Sequence, residues 1–408
     1  MNGIEELVYS MFLALSLALI VGKVFEELFV RLGVPPVLGD LFAGLILGKT
    51  LVNLFPINDV VEVFSWFGVS LLLFYAGLET RYREFMKHVP EYGVITCGEV
   101  LSAFAIGYVV GTLFGYSPIK SYFIGTILVA TSVSLSVRTL IEIDKLTTVE
   151  GRTVLGIAVL DDLAALIILA AGTSLAVTGS FNIMNLLRIA VTAFAVWFIL
   201  VFALYKVSNH IARLAIKLHI EEPLFAVLLG TFSLLAYLSK FIGISYLIVA
   251  YATGLAFSEI RGVRRIAESV RSMAMPFSTL FFMVTAASID LKTVISLQYL
   301  PFYVLMVLAA FIGKLLGGGL TSYLIGYPPY SAIRVAVGLF PRAEFCIVAA
   351  YIAVNSGILS SEAYLAAIMI VLITNFLTPP LIKAVYLKGP EATYITPRWR
   401  RKSAHVHK

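Results

Sequence analysis

Long apolar segments separated by short polar connections fill almost all of this 408-residue sequence. Most segments are close to the roughly 20 residues that a helix needs to cross a bilayer, and Gly, Pro and Ser cluster in the connections. The pattern predicts thirteen helical spans, at residues 6–30, 35–56, 60–78, 91–114, 121–140, 152–178, 185–207, 222–240, 243–258, 272–289, 299–323, 331–356 and 362–386. We therefore predict an all-α polytopic membrane domain over residues 1–388 and a short basic cytoplasmic tail over 389–408.

The composition agrees with a multi-pass protein of the cell membrane. Hydrophobic residues make up 60% of the chain and charged residues only 13%, whereas a soluble protein has about 25% charged residues. The two cysteines, Cys97 and Cys346, lie in apolar runs, so neither a disulfide framework nor a metal site is expected. The net charge of +6 arises from short loops and indicates no nucleic-acid partner, and no cofactor is expected.

The basic residues orient the chain in the membrane. With the N-terminus placed outside, the inner connections and tail hold 22 of the 30 Lys and Arg residues, and the outer connections hold 5. Cytoplasmic loops of membrane proteins carry such an excess of positive charge. We therefore predict that the N-terminus lies outside and the C-terminus inside.

Two pairs of stretches recur at nearly the same offset along the sequence. "VLGDLFAGLILGKTL" resembles "YLIVAYATGLAFSEI", with Gly44 aligned on Gly254 at an offset of 210, and "LLLFYAGLETRYREF" resembles "FFMVTAASIDLKTVI" at an offset of 211. The offset moves a span by seven places, so the second copy has the opposite orientation in the membrane. We predict an inverted repeat, as in secondary transporters, with copies at about 6–178 and 222–386 and a linker helix at about 185–207.

Ionisable and hydroxyl side chains occur near the middle of four predicted spans. They are Thr131 and Ser132 in span five, Asp161 and Asp162 in span six, Lys314 in span eleven, and Arg342 and Glu344 in span twelve. The rise of a helix places them roughly 15 Å from a membrane face, near the midplane of the bilayer. Acids at this depth are costly and usually functional. We interpret Asp161 and Asp162 as groups in a wet cavity that exchange protons for a metal cation.

Spans five and twelve are predicted to be broken near their centres. The stretch "ATSVSLS" holds four hydroxyl groups that can bond to backbone carbonyls, and Pro341 removes a backbone donor from span twelve. Broken helices at the midplane expose carbonyl groups and positive helix ends to a bound ion.

At these residues the chain resembles the cation:proton antiporter-2 family, whose membrane domain is of the sodium/hydrogen exchanger type. The stretches that carry the resemblance are "PPVLGDLFAGLILG", "LLLFYAGLET", "ATSVSLS", "DD" at 161–162, "GKLLG" and "PRAEF". The resemblance implies a homodimer in which spans one and seven form the dimer contact, while the remaining bundle moves as an elevator. It implies exchange of Na⁺ or K⁺, sometimes Li⁺, for protons.

The resemblance also implies roles for single residues. Asp162 resembles the main ligand of the transported alkali cation, and Asp161 resembles its neighbour, which pairs with Lys314 in electrogenic members. Thr131 and Ser132 resemble the unwound part of one crossing helix, and "PRAEF" resembles that of the other. We therefore expect a secondary antiporter, not an enzyme, that exchanges Na⁺ for protons electrogenically.

Several of these side chains allow a plainer interpretation. Thr131 and Ser132 can simply bend the helix by bonding to its backbone, and Lys314 can extend toward the inner membrane face. Arg342 and Glu344 can form a fixed structural pair between the two bundles. Glu99 in span four can line the cavity as a supporting acid or pair with a base at the inner face.

Three other functions are compatible with parts of the pattern. A K⁺/H⁺ antiporter would share the whole fold. A carrier of organic anions could use Arg342 and Lys314, although the adjacent acids argue against it. An intramembrane prenyltransferase would need a second Asp-rich motif near a membrane face to hold Mg²⁺-diphosphate, and the single Asp pair lies at the midplane.

Overall fold

The computed structural model describes residues 3–178, 183–217, 222–242, 245–289, 297–342 and 344–390, and within these ranges all regular structure is helical. The helices are α1 (Gly3–Arg31), α2 (Val37–Leu47), α3 (Asp59–Glu79), α4 (Tyr82–Leu113), α5a (Pro118–Ile127), α5b (Val133–Glu142), α6 (Val149–Thr178), α7 (Ile183–Ile216), α8 (Pro223–Ile242), α9 (Tyr246–Phe257), α10 (Val263–Ala287), α11 (Leu300–Ile325), α12a (Pro329–Gly338), α12b (Glu344–Asn355) and α13 (Ser361–Tyr386). Short π-helical stretches interrupt α1 at Ala18–Gly22 and α11 at Leu315–Leu320.

Each of the thirteen predicted segments contains helix. In the described part of the chain, nine helices are long and apolar enough to cross a membrane. The other four predicted spans have no helix of this length, because α2 and α9 are short and α5 and α12 are each divided into halves. The prediction of a polytopic all-α protein is therefore confirmed.

Span two differs most from its prediction, because α2 has only 11 residues and ends at Leu47. Its length is about 16 Å, roughly half the hydrocarbon core. The chain after Gly48 folds back instead of continuing as helix, since the amides of Leu54 and Phe55 both donate to the carbonyl of Leu47. Asn53 adopts a left-handed conformation (φ 52°) within this turn.

Two other helices extend beyond their predicted bounds. Helix α4 begins at Tyr82, not near residue 91, and contains Pro90 in its interior. Helix α7 continues to Ile216, nine residues beyond the predicted end of the linker helix.

Reciprocal glycine contacts support the predicted repeat. A Cβ atom at Gly44 of α2 would overlap the backbone of Met283 in α10. A Cβ atom at Gly254 of α9 would overlap the backbone of Phe74 in α3. In the predicted repeat, α2 corresponds to α9 and α3 corresponds to α10. The contact of α2 with α10 therefore corresponds to the contact of α9 with α3. This exchange is the contact pattern that a pseudo-two-fold repeat produces.

The chain forms two compact units, and each combines parts of both predicted repeats. The first unit takes the described residues of 1–87 and 191–290, which include α1–α3, most of α7, and α8–α10. The second unit takes those of 88–190 and 291–408, which include most of α4, together with α5, α6 and α11–α13. In the second unit the apolar core is built from α5a, α11, α12b and α13, around Phe123, Met306 and Ile370.

Candidate functional site

The centre of the second unit is the place where the breaks of α5 and α12 meet. Helix α5a ends at Ile127 and α5b begins at Val133, while α12a ends at Gly338 and α12b begins at Glu344. Both predicted breaks are therefore confirmed. Each break brings unpaired carbonyl groups at the end of one half-helix and unpaired amides at the start of the other.

Hydrogen bonds hold the two breaks against each other. The amide of Ser132 donates to the carbonyl of Pro341 at 2.7 Å, and the Ser136 hydroxyl donates to the carbonyl of Gly338 at 2.6 Å. The Ser132 hydroxyl accepts a hydrogen bond from the amide of Leu135 at 3.4 Å and so caps α5b. The hydroxyl-rich sequence thus ends one half-helix, begins the next and bonds across to the other break.

Asp161 and Asp162 lie in the middle of α6, in the same unit. The Asp161 side chain is completely buried, whereas Asp162 is half-buried. Thr131, at the break of α5, lies beside Asp161, and its hydroxyl donates to the carbonyl of Leu339 at 3.5 Å. One of the two acids is therefore enclosed by protein beside the break, and its neighbour retains exposed surface.

Lys314 connects these elements from α11. Its side chain is completely buried, and its Nζ donates to Oδ2 of Asp161 at 3.2 Å. Nζ also contacts the carbonyl oxygen of Val129, at the end of α5a, and the carboxylate of Glu99. The ammonium group thus faces the interior of the unit and does not extend toward a membrane face.

Glu99 approaches Lys314 because α4 and α11 pack with their backbones close together. A Cβ atom at Gly317 would overlap the backbone of Glu99, and one at Gly313 would lie 2.9 Å from Cα of Ala103. Small residues of this kind let two helices in a membrane approach closely. Glu99 is completely buried, so it is a second interior partner of Lys314 and not a partner of an inner-face base.

Arg342 is also completely buried, at the break of α12. Its guanidinium donates to the carbonyls of Leu339 at 3.3 Å and Ala310 at 3.0 Å, and its amide donates to the Thr374 hydroxyl at 3.1 Å. The side chain of Glu344 lies outside the described residues, so a pair between Arg342 and Glu344 stays a prediction.

The fully buried charges of this site balance one another. Taken as ionised, Glu99 and Asp161 carry two negative charges, and Lys314 and Arg342 carry two positive charges. Asp162 then adds one negative charge on a half-buried side chain.

The rise of the helices predicted that Asp161, Lys314 and the two breaks lie at one depth, but the contact between Glu99 and Lys314 was not predicted. The signal was available in the spacing of Gly313 and Gly317, which marks a close helix contact, and in Gly98 beside Glu99. What the sequence lacks is any indication that α4 is the helix packed on that glycine surface.

Broken helices that meet beside buried ionisable groups are the architecture of secondary transporters, and this is the class that the fold and the site define. The sequence matches the family described as sodium/hydrogen exchanger, transmembrane, over residues 14–388. The chain therefore belongs to the sodium/hydrogen exchanger family, whose members are multi-pass cation/proton antiporters of the cell membrane and not enzymes. This membership excludes the prenyltransferase alternative.

Individual relatives agree with this assignment. The chain is 31% identical over 375 residues to the probable Na⁺/H⁺ antiporter GerT of Bacillus cereus, covering 91% of this chain and 98% of the relative. It is 29% identical to the Na⁺/H⁺-K⁺ antiporter GerN of the same organism, covering 93% and 97%. The sodium proton antiporter MjNhaP1 of Methanocaldococcus jannaschii has the same fold, with a TM-score of 0.71 at 16% identity, over 96% of this chain and all of that structure.

Proposed function

We propose that the chain exchanges Na⁺ for protons across the cell membrane, with Asp162 as the principal ligand of the cation. The observation that carries the proposal is the half-buried Asp162 next to a buried set of charges that already balance. Water-borne ions reach a half-buried carboxylate more readily than an enclosed one. An ionisable side chain within a membrane-spanning helix is usually functional, which supports Asp162 as the group that binds the cation or the proton.

The groups around Asp162 suit an alkali cation. Asp161 and Asp162 offer carboxylate oxygens, Thr131 offers a hydroxyl, and the breaks of α5 and α12 offer carbonyls, which are the oxygen ligands that hard cations prefer. Ser132 completes the proposed ligand set. Its side chain already caps α5b, so ligation by its hydroxyl would compete with the cap.

Protons and the cation compete for the same carboxylates in this mechanism. A cation that engages both acids displaces protons from the pair, and interacting acids titrate as a pair. When each of the two acids holds one proton in the cation-free site and Glu99 remains the partner of Lys314, two protons leave for each cation that binds, and the exchange is electrogenic. Competition of this kind raises the apparent KM for Na⁺ as the pH falls.

The proposal includes the way in which the site gains access to each side of the membrane. We place thirteen crossings in the bilayer, with the N-terminus outside, and assign the movement to an elevator displacement of the bundle that holds α5, α6, α11 and α12. The division into two compact units, each with helices from both repeats, supports this assignment. Exposed apolar side chains on α1 and α7, such as Phe12 and Phe202, suit contact with lipid and with a second copy in a homodimer.

K⁺ is the second candidate cation, because the relative GerN is named as a Na⁺/H⁺-K⁺ antiporter. The oxygen ligands described above accept either ion. The anion carrier is not favoured, since Lys314 already has two acid partners and the Arg342 guanidinium is hydrogen-bonded to backbone carbonyls.

Proteoliposomes with a clamped membrane potential test the proposal. A proton gradient is imposed, and Na⁺, Li⁺ and K⁺ are added separately while internal pH is followed with a dye. We expect Na⁺ to move protons with the lowest KM, and an imposed potential to change the rate and the equilibrium point. Protein-free vesicles are the control. If none of the three cations elicits proton movement, the proposed function is contradicted. If an imposed potential does not affect the exchange, its electrogenic character is contradicted.

A further inference from the structure

We propose that Glu99 is the resident counter-ion of Lys314, which holds the ammonium group while Asp161 turns to the transported cation. This inference rests on the proposed exchange at Asp161 and Asp162. It assigns to Glu99 a positioning role in the transport cycle, acting on the cation through Lys314.

Two carboxylates from two different helices share one ammonium group. Asp161 on α6 accepts from Lys314 Nζ at 3.2 Å, and Glu99 on α4 contacts the same nitrogen from another helix. Both pairs are completely shielded, with side-chain exposures of 0% for all three residues. The group therefore carries one more carboxylate than the lysine needs.

The Glu99 carboxylate keeps Lys314 compensated when Asp161 moves toward a bound cation. If Asp161 were the only partner, its movement toward a cation would leave a buried ammonium group uncompensated, which is strongly unfavourable. With Glu99 in contact, Lys314 keeps a charged partner whichever way Asp161 turns. Asp161 can then be exchanged between Lys314 and the cation without an unpaired buried charge at any stage.

The packing shows which of the two pairs is fixed. Helices α4 and α11 touch through their backbones at Gly317 and Gly313. On the α4 side, a Cβ atom at Gly98 would overlap the Thr321 side chain. These contacts bring the backbones of α4 and α11 directly together, so the pair of Glu99 and Lys314 is part of the packing between these two helices. The contact with Asp161, on α6, is the one available for exchange.

The test replaces Glu99 by Gln in the full-length protein and measures Na⁺-dependent exchange in proteoliposomes. Without the second carboxylate, Lys314 binds Asp161 more tightly and competes with Na⁺, so we expect the KM for Na⁺ to rise about tenfold, the effect of losing one charge-assisted hydrogen bond. Glu99→Asp should recover part of the affinity. The matched control is Glu91→Gln, on the same helix, where the carboxylate is buried and paired with His88 instead.

A double variant separates this role from a general effect of negative charge. In the Lys314→Gln background no ammonium remains to be held, so adding Glu99→Gln should change the KM for Na⁺ by less than about twofold. A non-specific electrostatic effect would persist in that background at full size. The double variant also lacks any unpaired lysine charge, which keeps the comparison available if Glu99→Gln alone fails to fold.

The outcomes are distinct. The inference is overturned if Glu99→Gln has the KM and pH profile of the wild type, or if its effect is equally large without Lys314. If Glu99→Gln does not fold, a KM for Glu99→Asp equal to that of the Glu91→Asp control overturns it. Failure of the proposed function would appear separately, as the absence of Na⁺-dependent proton movement in the wild type.

Discussion

The amide of Ser132 donates a 2.7 Å hydrogen bond to the carbonyl of Pro341, and this bond joins the break of α5 to the break of α12. Ser132 also begins α5b through its side chain. Because one residue both caps a half-helix and fixes the crossing, the carbonyls and amides at the two breaks keep a defined arrangement beside Asp161. The ion site proposed above depends on that arrangement.

Replacing Ser132 by Ala separates the cap from the crossing, because the backbone bond to Pro341 remains. We expect a loss of about 1 kcal/mol in stability, typical for removal of a serine N-cap, with Ser132→Asn close to the wild type. The measurement is thermal unfolding in detergent. Ser272→Ala is the control, since that exposed hydroxyl bonds only to the carbonyl of Glu268 in its own helix. Equal melting temperatures for the Ala variants at Ser132 and Ser272 would contradict the assigned role.

Replacing Lys314 by Gln leaves Glu99 and Asp161 buried without their shared cation. Breaking a buried ion pair costs about 3–5 kcal/mol, so the variant should unfold at a markedly lower temperature at neutral pH. The deficit should shrink as the pH falls, because protonated carboxyl groups need no counter-ion. Lys240→Gln is the control, as that exposed lysine rests on the ring of Tyr237. A deficit that is absent, or that grows in acid, would show that the cluster does not hold these charges.

Replacing Gly317 by Ala tests the close contact between α4 and α11. The new methyl group would overlap the backbone of Glu99, and backbone cannot move aside as a side chain can. We expect overpacking to cost about 1–3 kcal/mol and to impair transport, because it displaces Glu99 from Lys314. At Gly93, also on α4, an added Cβ meets nothing within 4 Å. Retention of wild-type stability by Gly317→Ala, measured beside Gly93→Ala, would argue against the packing described.

The end of α13 is held by a separate buried pair. Arg334 donates to Glu150 at 2.9 Å and to the carbonyls of Val385, Lys388, Gly389 and Pro390. It is 1% exposed, so Arg334→Gln should lower stability by about 3–5 kcal/mol. The exposed pair of Arg265 and Glu222 provides the contrast, since Arg265→Gln should cost about 0–1 kcal/mol. Chemical unfolding of both variants checks the difference, and similar losses would contradict it.

Periodicity and length were sufficient to locate the helical segments, because a bilayer fixes how long an apolar run must be. Local chemistry was sufficient for the breaks: Pro341 and the hydroxyls around Ser132 interrupt a helix wherever it is placed. The rise of the helices also placed Lys314 at the level of Asp161, and in the structure Nζ of Lys314 lies 3.2 Å from the Asp161 carboxylate. In each case the cause lies within one segment or in the geometry of the membrane.

Features that depend on how segments pack could not be predicted from one sequence. The early end of α2 depends on the fold-back of its own C-terminal turn onto Leu47. The contact of Glu99 with Lys314 depends on which helix packs on Gly317. The partners of Arg342 are carbonyl groups on α11 and α12, and backbone acceptors leave no trace in a residue pattern.

The most direct test of the exchange mechanism is Na⁺-dependent proton movement in proteoliposomes that contain Asp162→Asn. Asparagine keeps the size of the side chain but cannot bind a proton reversibly or supply a negative charge to the cation. We predict that exchange falls by at least about 100-fold, as expected when more than about 2.7 kcal/mol of cation binding is removed, while Asp59→Asn, at an exposed helix start, exchanges like the wild type. Full exchange by Asp162→Asn would contradict the account.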